Sequence, residues 1–228
     1  MKNIKLINGF PFIQYSRDIY LADEMLDRSA SLAKWMDTRR TCRDFSDKPV
    51  DKRVIENIIS AASTAPSGAH KQPWTFCVVS NAEIKKQIRI EAEKEEYESY
   101  NGRMPDAWKK DLLPLQTDWK KEFLEIAPYL IIVFKKSYDF DSDGNKTNTY
   151  YANESCGLAS GFLLAAIHNS GLVALTHTPS PMNFLCKILN RPVNEKPFLL
   201  IPVGYAAEEC WVPDIERKNL TAVIQFYE

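Results

Sequence analysis

Arg39-Arg40-Thr41-Cys42-Arg43 places three guanidinium groups and a hydroxyl within five residues. Arginine stays charged at any physiological pH, and its planar fork of donors matches the oxygens of a phosphate. Three such groups repel one another unless an anion, carboxylates or solvent compensate them. The run therefore suits an anion site, and it suits equally a solvated charge cluster paired with Asp37, Asp44 and Asp47. What stands on either side of it decides between the two.

The wider chain has no basic excess to explain the cluster. Its 228 residues are 45% hydrophobic and 26% charged, with a formal net charge of -1. That describes an ordinary globular protein of one domain, 1–228, with no general attraction for nucleic acid or an anionic membrane. The five cysteines, Cys42, Cys77, Cys156, Cys186 and Cys210, are scattered and contain no C-x-x-C pair. They point to free thiols rather than a disulfide framework or a structural zinc site. His70, His168 and His177 have no metal spacing either, so no metal is expected. The stretch Gly157 to Leu175 is interrupted by Ser160, His168, Asn169 and Ser170, which suits a buried helix and strand better than a membrane span. With no apolar leader at Met1 to Lys5, a cytoplasmic protein is expected.

Outward from the arginines, a mixed arm of about thirty residues leads into a helix near Met25 to Trp35. Pro49-Val50-Asp51 opens a second helix, with Val54, Ile55, Ile58, Ile59 and Ala62 at helical spacing. A strand is expected over Thr75 to Val79, and Asn81 is placed to cap a charged helix running to about Tyr100. A further helical stretch spans Asp106 to Glu125, bent or broken at Pro114. Tyr129 to Phe134 is a continuous apolar run of strand length, as in a strand covered on both faces. Asp139 to Asn148 reads as a loop, and Tyr150 to His168 as a helix apolar all round, in the middle of the fold. Short strands at Leu172 to Leu175 and Phe198 to Val203 flank a helix near Asn183 to Asn190. The sum is an α+β layer structure around one sheet.

A second segment carries chemistry. Pro66-Ser67-Gly68-Ala69-His70-x-x-Pro73-Trp74 follows a helix and exposes backbone amides that can approach a planar ring or an oxyanion. Alone it is equally an ordinary turn. In this order, about thirty residues apart, the two segments resemble the nitroreductase-like flavoprotein superfamily. The resemblance implies a nitroreductase-like fold, with a central, mainly antiparallel sheet flanked by helices, in an intertwined homodimer with FMN at the subunit interface. It implies that Arg39, Arg40, Thr41, Cys42 and Arg43 hold the FMN phosphate and ring edge, threonine standing where the family has serine. Pro66, Ser67 and Gly68 would reach the flavin of the second copy.

The closer likeness is to the deiodinase branch of that superfamily. It is carried by Thr64-Ala65-Pro66-Ser67-Gly68-Ala69-His70, Pro73-Trp74-Thr75-Phe76, Asp118-Trp119-x-Lys121-Glu122, Thr176-x-Thr178-Pro179, Pro202-Val203-Gly204-Tyr205 and Val212-Pro213-Asp214. The likeness runs from about Trp35 to the C-terminus and lacks the membrane anchor of the animal enzymes, so a soluble bacterial-type member is expected. It implies that Thr176, His177 and Thr178 line the cofactor, His177 through its backbone, with the Thr178 hydroxyl at flavin N5 favouring stepwise electron transfer over hydride transfer. Arg217 matches a phosphate-binding arginine better than Lys218 does, and about 205–228 would form a C-terminal extension. The Ala69 amide would bind the substrate phenolate.

The substrate side rests on a third set. Glu96 and Tyr100 are four apart and share a helix face, while Lys121 lies on the next helical stretch. A carboxylate, a phenol and an ammonium brought together can recognise an amino-acid zwitterion, Glu96 taking the ammonium and Lys121 and Tyr100 the carboxylate. Locally, Glu91 to Glu96 is the kind of charge-rich face that is usually solvated. The resemblance tips the reading towards a clamp within an active-site lid, about 91–121, and Trp108 between the two segments is read as a packing residue before a lid residue. The implied reaction is reductive removal of halide from a halogenated tyrosine, with NAD(P)H or a flavin reductase system as electron donor. A broad nitro- or quinone reductase on the same scaffold needs only the flavin residues, and a non-catalytic flavin- or tyrosine-binding sensor needs no turnover.

Overall fold

The computed structural model describes residues 3–228. The chain divides into two compact units, Met1–Arg39 and Arg40–Glu228. In the first, strands β1 (Ile4–Ile7) and β2 (Phe10–Ile13) form an antiparallel hairpin. Asn8 and Gly9 both take positive φ, 50° and 84°, as a two-residue turn between right-twisted strands requires. The segment read as a mixed arm therefore contains regular structure, formed by Asn-Gly between two largely apolar tetrads, Ile-Lys-Leu-Ile and Phe-Pro-Phe-Ile. Helix α1 (Ala22–Asp37) follows; it buries no residue, and Met25, Leu26 and Leu32 are exposed.

The second unit begins with α2 (Lys52–Ser63), whose N-terminus is capped where Asp51 accepts from the Arg53 amide at 2.8 Å. Its Ile55, Ile58 and Ala62 are buried, one face of the helix as the spacing requires. A tight turn at Gly68–His70 leads into β3 (Trp74–Val79). Asn81 caps α3 (Ala82–Glu98), its side-chain oxygen accepting from Ile84 N–H at 3.0 Å. A single π-type turn, Ser99–Arg103, extends that helix past Tyr100.

The helix expected over Asp106 to Glu125 is two helices, α4 (Asp106–Leu112) and α5 (Phe123–Ile126). Pro114 cannot donate to a helical ladder, so the chain tightens into a 3-10 turn at Leu113–Leu115, and Gln116 then turns left-handed at φ 45°. Residues 117–122 are left in an irregular strap.

Next come β4 (Tyr129–Lys136) and a hairpin of β5 (Tyr138–Phe140) and β6 (Lys146–Asn148), in the stretch read as a loop. Helix α6 (Ala152–Asn169), β7 (Val173–Ala174), α7 (Phe184–Ile188) and β8 (Glu195–Gly204) complete the unit. The sheet order is β3-β4-β8-β7, and each neighbouring pair is antiparallel.

Strand β4 is the centre. Side chains alternate across a strand, so Leu130, Ile132 and Phe134 enter one core and Ile131 and Val133 the other. The first core packs against α3 through Ile88 and Ala92; the second packs against α2 and against Leu163 and Ile167 of α6. Complete burial on both faces explains why β4 reads as an unbroken apolar run. Helix α6 is different from what its composition suggests. One face is buried through Cys156, Ala159, Ser160 and Leu163, while Gly157, Leu158, Gly161 and Phe162 are exposed. Its apolar residues go all round, but its burial in this chain does not.

Candidate active site

The site forms where the end of α3, the strap 117–122 and the chain leaving β7 converge. A cavity of about 150 Å³ is lined there by Arg43, Glu96, Tyr100, Lys121, Thr176 and Thr178, with His177 also in its wall. The three residues expected to clamp a zwitterion are thus brought together with one arginine and the threonine pair expected at the flavin.

Helix α3 aims the acidic side. Glu96 Oε2 lies 3.6 Å from Lys121 Nζ, and the two side chains are only 15% and 4% exposed. Glu95, next to it, points elsewhere and pairs with Arg103 at 2.7 Å, so the helical register selects Glu96. Lys121 Nζ also donates to Thr117 Oγ1 at 3.5 Å and to the Asp118 carbonyl. Tyr100, at the start of the π-type turn, donates from its hydroxyl to the Thr117 carbonyl at 3.1 Å. π-Type turns recur at functional sites because the widened turn re-aims side chains, and here it falls at the Tyr100 phenol.

Burial dominates the electrostatics. Desolvation raises the Glu96 pKa, and the facing Lys121 and Arg103 only partly oppose it. Desolvation likewise lowers that of Lys121, against the pull of Glu96 and Asp118, with Arg43 adding to the lowering. Each charge of the pair therefore depends on the other for its ionised form. Tyr100 is pushed up by burial, with Glu96 and Asp118 adding, and it stays a neutral donor.

His177 is the least expected member. Its N–H and C=O are both bonded to Leu200, at 2.8 and 3.0 Å, so the N–H of the expected backbone contact to cofactor is already committed to the sheet. Its ring lies edge-on to Phe123, and Nε2 is buried with no hydrogen-bond partner. Burial, and then the charges of Lys121 and Arg43, push its pKa down to about 3. In the unfolded chain it titrates near 6.5. Between those values the unfolded state holds the extra proton, so this part of stability is complete above about pH 6.5 and is lost as pH falls towards 3. The slope reaches about 1.4 kcal/mol per pH unit. His177→Gln is expected to flatten the acid limb of unfolding free energy between pH 6 and pH 4. Parallel limbs for the variant and the parent protein would contradict this.

The other expected residues lie apart from the cavity walls. Arg40 donates to the Pro213 carbonyl, which lays the C-terminal segment along the arginine run, and Ala207 and Trp211 amides bond to Asp44 at 3.0 Å each. Arg217 follows in that same segment. Thr41 forms a parallel bridge to Ala174 and Cys42 is buried, so the run is anchored to the edge of the sheet. Arg39 closes the N-terminal unit. The Pro66–Ala69 loop packs on the start of α6: a Cβ on Gly68 would lie 2.8 Å from the Tyr150 carbonyl oxygen, so only glycine fits. Ala69, His70 and Gln72 all take positive φ, and Ser67 Oγ accepts from the Gln72 amide at 2.9 Å. Strain of this kind collects at functional loops.

Trp108 is half-exposed and lines the cavity, so it is not the core packing residue that was expected. Sequence reasoning missed Thr117 and Asp118 as partners of Lys121, because they act within an irregular strap that no periodicity marks. It also missed Met104 and Ser180 in the wall.

With one arginine fork, threonine hydroxyls and a buried imidazole nitrogen that has no hydrogen-bond partner among the described residues, the cavity fits a ligand that carries an anionic group and a hydrogen-bonding heteroaromatic ring. The comparisons agree in kind. The model of the nitroreductase family matches residues 36–205, and the chain belongs to that family. Within it the similarity is to iodotyrosine deiodinases. The chain is 62% identical over 216 residues to the iodotyrosine deiodinase of Haliscomenobacter hydrossis, covering 95% of this chain and 97% of that protein. It is 42% identical over 213 residues to iodotyrosine deiodinase 1 of Homo sapiens, covering 93% and 74%. A crystal structure of oxidized iodotyrosine deiodinase bound to FMN and 3-iodo-L-tyrosine superimposes with a TM-score of 0.75 at 30% identity, over 86% of this chain and 98% of that one. Among the described residues, no helix is long and apolar enough to cross a membrane.

Proposed function

We propose that this chain is an FMN-dependent reductive dehalogenase of halogenated tyrosines, converting iodotyrosine to tyrosine and iodide. The observation that carries the reading is the meeting of Glu96, Tyr100 and Lys121 at a cavity that Arg43 and Thr178 share. A general nitro- or quinone reductase has no use for a buried carboxylate and ammonium facing each other at 3.6 Å. An amino-acid zwitterion does, since its ammonium and carboxylate can replace the two partners one for one.

Arg39, Arg40, Thr41, Cys42, Arg43 and Arg217 would hold the FMN phosphate and ring edge, and Pro66, Ser67 and Gly68 the flavin of the second subunit. Thr176, His177 and Thr178 would border the ring. When bound, FMN supplies the electrons that replace the carbon–halogen bond by carbon–hydrogen. The protein's own part is orientation: Glu96 takes the substrate ammonium, Lys121 and Tyr100 its carboxylate, and the Ala69 amide the phenolate oxygen. The Thr178 hydroxyl would hold a hydrogen bond at flavin N5 and so favour electron transfer in single steps. The segment from about 91 to 121, closing over the ring, would exclude water. NAD(P)H or a flavin reductase system would supply the reducing power, in the cytoplasm.

A homodimer follows from the same reading. Leu158 and Phe162 are exposed on α6, with open space at the Cβ positions of Gly157 and Gly161, a surface that suits a second copy. The arm about 1–30 and the extension about 205–228 would wrap that copy within a single 1–228 domain. Phe162→Glu is expected to shift the sedimentation coefficient from dimer to monomer and to reduce FMN retention. An unchanged dimer would remove α6 from the interface.

Anaerobic stopped-flow with reduced protein and 3-iodo-L-tyrosine tests the activity. Flavin oxidation with stoichiometric iodide release is expected. Nitroarene reduction without iodide release would favour the general reductase, and tight binding of iodotyrosine without turnover would favour a sensor.

A further inference from the structure

The irregular strap that carries Lys121 is held almost entirely by one face of α3. Lys85, Arg89, Glu93, Glu96 and Tyr100 recur at intervals of four, four, three and four, which lines them up along the helix. Lys85 Nζ donates to the Glu125 and Ala127 carbonyls at 2.7 and 2.8 Å, closing the end of α5. Arg89 pairs with Glu125 at 3.3 Å and with Glu122 at 3.8 Å. Glu93 Oε1 accepts from the backbone N–H of Lys121 at 2.7 Å and from Arg89 Nε at 2.7 Å. Glu96 then meets the Lys121 side chain, and Tyr100 the Thr117 carbonyl.

From this geometry we propose that Glu93, oriented by Arg89, is a positioning residue for substrate recognition: it fixes the Lys121 main chain so that Nζ meets the substrate carboxylate. This rests on the reading of Lys121 as the carboxylate-binding residue. Lys121 lies two residues ahead of α5 and outside any strand, so no helical or sheet ladder is available to its N–H. A buried amide needs an acceptor, and Glu93, only 18% exposed, supplies a charged one. The other end of the residue is fixed as well, since the Lys121 carbonyl accepts from Leu124 N–H at 3.0 Å. With both main-chain groups held, the remaining freedom of Nζ lies in the side chain alone. A long side chain whose root shifts by an ångström no longer meets a ligand group of fixed position. Glu93 touches neither cofactor nor substrate in this account, so its effect is selective. It acts on ligands that present a carboxylate and not on those that present only the halogenated phenol.

The test uses FMN-loaded protein and flavin fluorescence titration with 3-iodo-L-tyrosine and, separately, 2-iodophenol. Glu93→Ala is expected to weaken iodotyrosine binding about tenfold and to leave iodophenol within about twofold. Glu93→Gln, which keeps an acceptor oxygen for the Lys121 amide, is expected to restore iodotyrosine binding to within about threefold. Equal weakening of both ligands, or no weakening of iodotyrosine, overturns the proposal. If Glu93→Ala does not load FMN, Glu93→Asp, one methylene shorter, is read by the same two ligands and the same criteria. Lys121→Ala is titrated in parallel to keep the two ideas apart. Loss of iodotyrosine affinity in Lys121→Ala but not in the Glu93 variants overturns the positioning role alone. No loss in Lys121→Ala overturns the clamp and this inference with it.

Discussion

Lys121→Ala is expected to raise the dissociation constant for iodotyrosine about a hundredfold, with FMN content unchanged and 2-iodophenol affinity within about twofold. Lys121 is 3% exposed, and its ammonium contacts Glu96, Thr117 and the Asp118 carbonyl. Truncating one member of a buried, hydrogen-bonded charge pair costs about 2–5 kcal/mol, and a hundredfold change in affinity, about 2.7 kcal/mol, falls inside that range. Two effects combine in this case. The substrate carboxylate loses its cation, and Glu96 loses the charge that opposes its desolvation, so it takes up a proton more readily and binds the substrate ammonium less well. A single substitution therefore weakens both ends of the clamp. Fluorescence titration with the two ligands separates this from a general loss of structure, because iodophenol carries neither charge. Equal weakening of the two would mean that Lys121 supports the fold rather than the ligand.

Arg43→Ala is expected to give protein that is colourless as purified, with FMN affinity lowered about a hundredfold. Of the arginines proposed to hold the cofactor, Arg43 is the one in the cavity wall beside Thr176 and Thr178, and its charge is felt at Lys121, His177 and Tyr100. Arg40 by contrast is bonded to the Pro213 carbonyl. Loss of a charged hydrogen-bonding fork facing an anion or a polar ring edge costs about 2–5 kcal/mol when the site is desolvated. Arg43→Lys should recover only part of the affinity, since an ammonium cannot offer two parallel donors. The variant carries a second signature: with Arg43 gone, His177 loses one of the charges that depress it, and its pKa should rise relative to the parent protein, as followed by NMR of the ring protons. Full yellow colour in Arg43→Ala would take this residue out of the cofactor site.

The parts of this fold that could be read from the chain are those where a local force acts alone. Asp51 and Asn81 stand immediately before their helices, and each accepts from a first-turn amide as a short polar side chain at that position should. The β4 run is apolar because both its faces are covered. The hairpin at Asn8-Gly9 was not read although Asn-Gly is a turn signal, because its flanks, Ile4–Ile7 and Phe10–Ile13, do not alternate apolar with polar. Composition misleads on α6 for a related reason: an apolar surface and an apolar core are written with the same letters. The residues proposed as the clamp could be picked out only through resemblance, since Glu96 sits within Glu91 to Glu96 and nothing local separates it from its neighbours. What separates them is the packing of α3 on the strap. That packing sends Glu96 to the Lys121 ammonium and Glu93 to its backbone amide, while Glu95 turns to Arg103 in the π-type turn. A carboxylate whose partner is a main-chain N–H leaves no trace in the sequence of that partner.

The alternation of β4 between two cores bears on how such a protein can diversify. Any change in size along that strand is transmitted to one packed layer or the other, so its freedom to vary is small. The strap from 117 to 122 belongs to neither layer; it hangs from the polar stripe of one helix. Lineages exploring new substrates can therefore rewrite the polar stripe of α3 and the strap together, five helix positions and six strap positions, while the architecture beneath them is inherited intact.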